Sequence, residues 1–110
     1  MSKLERNLDQ RIRDHFKHRP DIVAKKLHGT MHSLNEPDWL FTVQGRTVVI
    51  EMKVPGEKER PAQSLRLREW ELAGARTAVC TTLDAVIEII NAEEARMRRL
   101  YEYEAEGYTL

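Results

Sequence analysis

The sequence has little cysteine, no net charge and no long apolar run, and each shortage excludes a class of protein. Its single cysteine, Cys80, excludes an internal disulfide and a zinc site built from cysteines. No apolar run approaches the roughly 18 residues that a membrane-spanning helix needs. The first ten residues, MSKLERNLDQ, contain no apolar stretch typical of a signal peptide. These absences predict a cytosolic protein with no membrane segment.

The composition is that of an ordinary folded domain. The chain has 110 residues, of which 41% are hydrophobic and 33% charged, which excludes a wholly disordered chain and suits a single domain. The charges are unevenly placed, because residues 1–33 hold eight basic and four acidic side chains and residues 71–110 hold the reverse. Either the basic third faces a polyanion such as nucleic acid, or the surface is merely solvated and uneven.

Hydrophobic periodicity and turn signals predict the order of the elements. Gln44-Gly45 is a two-residue turn candidate that joins two strands into a hairpin. The predicted elements are a helix over 3–18 capped by Ser2, a short strand or extended turn over 22–29, strands over 39–43 and 46–54, a helix over 61–72, a strand over 76–81, a helix over 83–92 capped by Thr82, and a charged helical stretch over 93–106.

This order predicts an α/β protein with a small mixed β-sheet flanked by helices and followed by a C-terminal helical tail. The strand–helix–strand spacing of residues 46–81 fits a parallel crossover. We expect residues 1–92 to form the domain that carries the function. Residues 93–110 are then a helical extension of the same single domain.

A cluster of charged residues in the predicted hairpin points to chemistry. Alternation places Glu51 and Lys53 on the same face of the strand over 46–54, and the hairpin brings Asp38, thirteen residues before Glu51, opposite the end of that strand. Two carboxylates about 4 Å apart repel by roughly 4 kcal/mol at a surface-like dielectric. A proton, a lysine or a divalent cation offsets such repulsion, and hard oxygen ligands favour Mg²⁺ or Mn²⁺.

The pattern Pro37-Asp38 followed by Glu51-Met52-Lys53 resembles the catalytic motif of the PD-(D/E)xK nuclease superfamily. The stretch 26–90 is more closely similar to the stand-alone VRR-NUC nucleases, including those of phages. With the N-terminal helix the resemblance covers roughly residues 3–91. The other matching segments are KLHGT, Gly45-Arg46, Pro55-Gly56, Pro61-x-Gln63, and Gly74-Ala75 leading into AVCTTLDAV.

The resemblance implies a restriction-endonuclease-like core of type αβββαβα and a role for each matching residue. Asp38, Glu51, the backbone carbonyl of Met52 and, on the first helix, Glu5 would hold Mg²⁺ or Mn²⁺. Lys53 would orient the attacking water and help to neutralise the phosphate. Gln63 belongs to the same catalytic set, since the stripe that it shares with Leu67 and Trp70 packs on the sheet and places it at the active-site end.

The implied activity is metal-dependent endonucleolytic hydrolysis of DNA phosphodiester bonds, selective for junctions, flaps or nicked duplex. It further implies a homodimer in the cytoplasm of a bacterium or a phage-infected host cell, working alone or with a helicase or another replication or recombination protein. The side chains that we expect to contact DNA phosphates are Lys25, Lys26, His28, Lys58, Arg60 and Arg66.

The sequence also departs from the family pattern, and it leaves alternatives open. Asn35 and Glu36 stand where the family has glycine and a small apolar residue, so Glu36 either tunes metal binding or faces solvent. The site residues also fit a structural ion-pair cluster, with Glu5 as a helix cap and Gln63 exposed. The alternative function is a nucleic-acid-binding module without independent catalysis, and the alternative substrate is RNA. The tail packs on a second subunit or on its own chain through Met97, Leu100, Tyr101 and Tyr108.

Overall fold

A computed structural model of the chain describes residues 3–27, 35–58 and 60–107. Ser2, the expected cap of the first helix, His28, an expected phosphate contact, and Tyr108, an expected packing residue of the tail, lie outside these ranges. The elements, in chain order, are α1 (Lys3–Phe16), β1 (Ile22–Lys26), β2 (Trp39–Val43), β3 (Arg46–Met52), α2 (Pro61–Leu72), β4 (Arg76–Cys80) and α3 (Leu83–Ala105).

The four strands form one mixed sheet in the order β1-β2-β3-β4. β1, β2 and β3 are antiparallel neighbours, and β4 runs parallel to β3 after the crossover through α2. Gln44 and Gly45 have φ values of 52° and 84°, the left-handed geometry of a tight hairpin turn. The predicted α/β class with a mixed sheet, flanking helices and a C-terminal helix is therefore confirmed.

The hydrophobic core lies between one face of the sheet and the helices α1 and α3. Alternate residues of β2 and β3 enter this core, among them Trp39, Phe41 and Ile50, while Ile12 and Phe16 enter it from α1. The rings of Phe16 and Phe41 meet edge to face, with their centroids 5.0 Å apart. This apolar layer fixes the register of the hairpin and hence the position of everything at its open end.

The opposite face of the sheet is only partly covered, because α2 lies over β3 and β4. The apolar residues of α2 are spread around the helix instead of forming one stripe, so Leu65 and Leu72 are exposed and Leu67 and Trp70 are half-buried. Gln63 is the buried residue of this helix. The position of α2 therefore depends on polar contacts more than on apolar packing.

Several element boundaries differ from those expected. α1 ends two residues earlier, at Phe16, and β3 ends at Met52, opposite the last residue of β4. The predicted stretches 83–92 and 93–106 form one helix, α3, because no glycine or proline interrupts the chain where they meet. Thr82 caps it as predicted, accepting a hydrogen bond from the amide of Ala85. No helix in the described ranges is both long and apolar enough to cross a membrane.

Candidate active site

A cleft of about 520 Å³ opens at the end of the sheet where β2 begins and β3 finishes. Four parts of the chain contribute to it: one face of α1, the end of β1, the open end of the β2–β3 hairpin with the loop that follows, and the first turn of α2. The titratable and amide side chains that line it are Glu5, Asp9, Lys26, Asp38, Glu51, Lys53, Glu57, Lys58, Arg60 and Gln63.

Asp38 stands at the entrance to β2, directly across from Glu51. Trp39 pairs with Ile50, so continuing the register by one residue places Asp38 opposite Glu51. The Oδ2 atom of Asp38 accepts a hydrogen bond of 2.7 Å from the amide of Met52. The hairpin therefore brings both predicted carboxylates into one cleft, as the turn at its other end requires.

Glu51, Lys53 and Gln63 form a buried polar group at the end of β3. Their relative exposures are 4%, 8% and 8%. The Nζ atom of Lys53 donates to Oε1 of Gln63 at 3.1 Å, and Nε2 of Gln63 donates to Oε1 of Glu51 at 3.4 Å. The ammonium of Lys53 also lies 3.8 Å from Glu51 and 3.8 Å from Glu57. A buried lysine is thus kept beside two carboxylates, with an amide as the bridge.

The first helix contributes two carboxylates, of which the sequence analysis named one. Glu5 lines the cleft, as the resemblance implies. Asp9, one helical turn later, also lines it, forms an ion pair with Lys26, and accepts from Nε1 of Trp39 at 3.3 Å. Sequence reasoning missed Asp9, although its spacing of four residues from Glu5 was the available signal.

The expected phosphate-binding residues are not all in one place. Lys58 and Arg60 line the cleft, and Lys26 lines it while paired with Asp9. Lys25 is exposed on β1 and does not line the cleft. Arg66 lies on α2, where its guanidinium forms ion pairs with two glutamates.

One of those glutamates is Glu36, and of its two alternatives the structure contradicts the one in which its carboxylate simply faces solvent. Oε1 of Glu36 accepts a hydrogen bond from Nε of Arg66, and Oε2 accepts one of 3.0 Å from Nε1 of Trp70. The bond from Glu36 is the main cause that raises the pKa of Arg66 above its usual value. Arg66 and Trp70 are four residues apart, so one carboxylate binds two consecutive turns of α2.

The donors in the cleft match a hard divalent cation in kind. Among the described residues, no three His, Cys, Asp or Glu side chains are close enough together to form a metal site by themselves. Mg²⁺ is usually held by one or two carboxylates together with water and phosphate oxygens, so a third protein carboxylate is not required. Asp38, Glu51 and Met52 all line the cleft and are the residues that could hold such a cation.

Comparison with protein-family models gives no match, and comparison with curated proteins gives none. Solved structures do match. A structure described as "VRR_NUC domain" superposes with a TM-score of 0.64 at 21% identity, covering 82% of this chain and 97% of that one. A second, "VRR_NUC domain protein", gives 0.63 at 18% identity, covering 84% and 88%. The chain has the VRR_NUC fold.

Within its 110 residues, this chain aligns with nearly the whole of the first matched VRR_NUC structure. Identities of 21% and 18% establish the fold alone.

Proposed function

We propose that the chain is a nuclease that hydrolyses DNA phosphodiester bonds in this cleft with Mg²⁺ or Mn²⁺. One observation supports the proposal above all others. Asp38 faces Glu51 across the hairpin, Lys53 follows on the same strand, and all three open into one cleft of a VRR_NUC fold. A purely structural ion-pair cluster does not need an open cleft in front of it.

The cation would be held by Asp38, Glu51 and the carbonyl of Met52, with Glu5 facing the same space from α1. When bound, it would acidify the attacking water and stabilise the charge that develops on the phosphate. The Met52 amide already donates to Oδ2 of Asp38, which orients that carboxylate in the cleft.

Lys53 is proposed to orient the water and to neutralise the phosphate. Its ammonium is held at the cleft wall by Gln63, Glu51 and Glu57, so its position is set before substrate arrives. Preorganised charge in a water-poor site stabilises a transition state more than a mobile surface charge does. Gln63 hydrogen-bonds to both Lys53 and Glu51 and so holds their side chains at fixed positions.

We further propose that the substrate is DNA with a junction, a flap or a nick, and that Lys58 and Arg60 contact its phosphates from the rim of the cleft. A homodimer would present one such cleft to each strand. Its setting would be the cytoplasm of a bacterium or of a phage-infected host, with a helicase or another recombination protein as a further partner. Sedimentation of the purified chain tests the dimer.

The deciding experiment is a cleavage assay on plasmid, duplex, flap and four-way-junction DNA, and on RNA, in Mg²⁺, Mn²⁺ or EDTA. The wild type is compared with Glu51→Gln and with Glu88→Gln, a matched change of an exposed glutamate on α3. We expect metal-dependent cutting by the wild type and by Glu88→Gln, and none by Glu51→Gln. Binding without cutting on every substrate would refute the enzyme and favour a nucleic-acid-binding module. Cutting of RNA alone would refute the DNA substrate.

A further inference from the structure

Glu36 connects the approach to β2 with α2, two parts of the cleft that the sheet does not join directly. Its carboxylate uses both oxygens, one for Arg66 and one for Trp70. The side chain of Glu36 is 20% exposed, so these bonds are partly shielded from water. Arg66 is also 5.7 Å from the centroid of the Trp70 ring, which holds the two donors together.

The contact of Glu36 with α2 lies close in sequence to two residues of the candidate active site, Asp38 and Gln63. Pro37 is fully buried and has a fixed φ. A restraint on the position of Glu36 therefore also restricts the position of Asp38. Trp70 lies two turns after Gln63 on the same side of α2, since seven residues span close to two turns. Glu36 therefore links the backbone that carries Asp38 to the helix that carries Gln63.

The polar link matters because α2 has little apolar contact with the sheet. Gln63 is its buried residue, and two of its leucines are exposed. An element held by few apolar contacts is positioned by its hydrogen bonds and ion pairs. The hydrogen bonds of Glu36 to Arg66 and Trp70 and those of Gln63 to Lys53 and Glu51 hold α2 at two different turns.

We propose that Glu36, through Arg66 and Trp70, is a positioning residue that fixes Asp38 against the Met52 amide and holds α2 over the cleft. It acts through Asp38 and Gln63 and does not itself touch a substrate. Its consequence for catalysis rests on the function proposed above, whereas its effect on the position of Asp38 does not.

The position of Asp38 can be measured without any activity. The Met52 amide donates to the Asp38 side chain at 2.7 Å, whereas the next amide, that of Lys53, donates to the carbonyl of Cys80 at 2.9 Å. We compare hydrogen–deuterium exchange of these two amides by NMR, in EDTA, for wild type, Glu36→Ala, Trp70→Phe and Glu69→Ala. Glu69 is the matched control, because it also pairs with Arg66 but is exposed and does not reach the Asp38 segment.

We expect exchange at Met52 to accelerate by about tenfold or more in Glu36→Ala, the change that loss of a hydrogen bond to a charged acceptor produces. Trp70→Phe removes one donor and retains most of the ring, so a smaller acceleration at Met52 is expected. Exchange at Lys53 stays within about threefold of wild type, and Glu69→Ala behaves as wild type at both amides. Equal acceleration at Met52 and Lys53 would indicate general loss of stability and would overturn the proposal, as would no change at Met52.

A second measurement separates this proposal from the proposed function. Mn²⁺ binding by calorimetry and DNA cleavage are followed for the same four proteins. If the wild type neither binds Mn²⁺ nor cuts, the proposed function fails, while selective exchange at Met52 still supports the positioning role. If the wild type cuts, we expect Glu36→Ala to need about tenfold more Mn²⁺ for half-maximal rate. An unchanged metal requirement, with Met52 unaffected, would refute the positioning role alone.

Discussion

The side-chain oxygen of Gln63 accepts a hydrogen bond of 3.1 Å from the ammonium of Lys53, and this contact joins the end of β3 to the first turn of α2. The same amide donates to Glu51 at 3.4 Å. Gln63 is therefore a neutral group between a buried cation and a buried anion. Without the Gln63 amide, Lys53 and Glu51 would either pair directly with each other or be hydrated by water entering the cleft.

Replacing Gln63 by alanine should lower both stability and activity. We expect a loss of about 1–3 kcal/mol in the free energy of unfolding, because buried partners are left unsatisfied. DNA cleavage should fall by at least about tenfold. Urea denaturation and cleavage rates measure the two effects, and Ser64→Ala, an exposed neighbour on α2, is the control. If Gln63→Ala unfolds and cuts like Ser64→Ala, the bridge has no role.

Replacing Lys53 by methionine should separate catalysis from metal binding. Most of the length of the unbranched side chain is kept, while the ammonium that faces Glu51 and Glu57 is lost. We expect the cleavage rate to fall by about a hundredfold or more and Mn²⁺ affinity, measured by calorimetry, to be retained. Lys58→Met, a change of an exposed lysine at the same cleft, should weaken DNA binding and leave kcat nearly unchanged. Full turnover by Lys53→Met would exclude it from the mechanism.

The hairpin turn and the C-terminal part of α3 are coupled through Tyr101. The Tyr101 hydroxyl donates to the carbonyl of Gln44 at 2.8 Å. A Cβ atom added at Gly45 would lie 2.9 Å from the Tyr101 hydroxyl oxygen. Gly45→Ala should cost roughly 1–2 kcal/mol for its positive φ, plus a further cost for this contact. In a Tyr101→Phe background the further cost should disappear. A double-mutant cycle by thermal unfolding measures it, and strict additivity would contradict the coupling.

The acid stability of the protein should depend on Asp21. Hydrogen bonds from Arg19 lower the pKa of Asp21 to about 2, and Arg19 also binds Glu94 of α3 at 2.7 Å. A lowered carboxyl pKa contributes stability above the unfolded value near 4, and the contribution is lost as pH falls toward 2. Asp21→Asn should therefore unfold at a lower temperature than wild type at pH 7 and at the same temperature near pH 1.5. A constant difference across that range would contradict the assignment.

Local patterns predicted the hairpin and the cleft residues that it brings together. Alternation in β2 and β3 and the turn at Gln44-Gly45 are enough to place Asp38 opposite Glu51, because the register follows from the turn. The crossover through α2 followed from the distance between β3 and β4. The positions of these residues are seen in the structure, whereas their catalytic and metal-binding roles stay predictions.

Contacts between distant elements could not be predicted in the same way. Glu36 reaches Arg66 and Trp70 only because α2 lies over β3 and β4, and no sequence period relates residues 30 and 34 positions apart. The pair of Asp9 with Lys26 likewise depends on how α1 crosses β1. The sequence predicts a helix over 83–92 and a charged helical stretch over 93–106, and the structure joins them into α3 because no glycine or proline interrupts them.

The carboxylate and the ammonium at the centre of the cleft sit at the end of β3, a strand with a partner on each side. Because an interior strand is hydrogen-bonded on both sides, we expect this half of the cleft to open at a higher free energy than its borders. Asp38 lies just before β2 and Gln63 lies on α2, and both reach the end of β3 through side-chain hydrogen bonds. We therefore expect any adjustment of the cleft to the proposed junction or flap DNA to come from these two borders, while β3 stays in place.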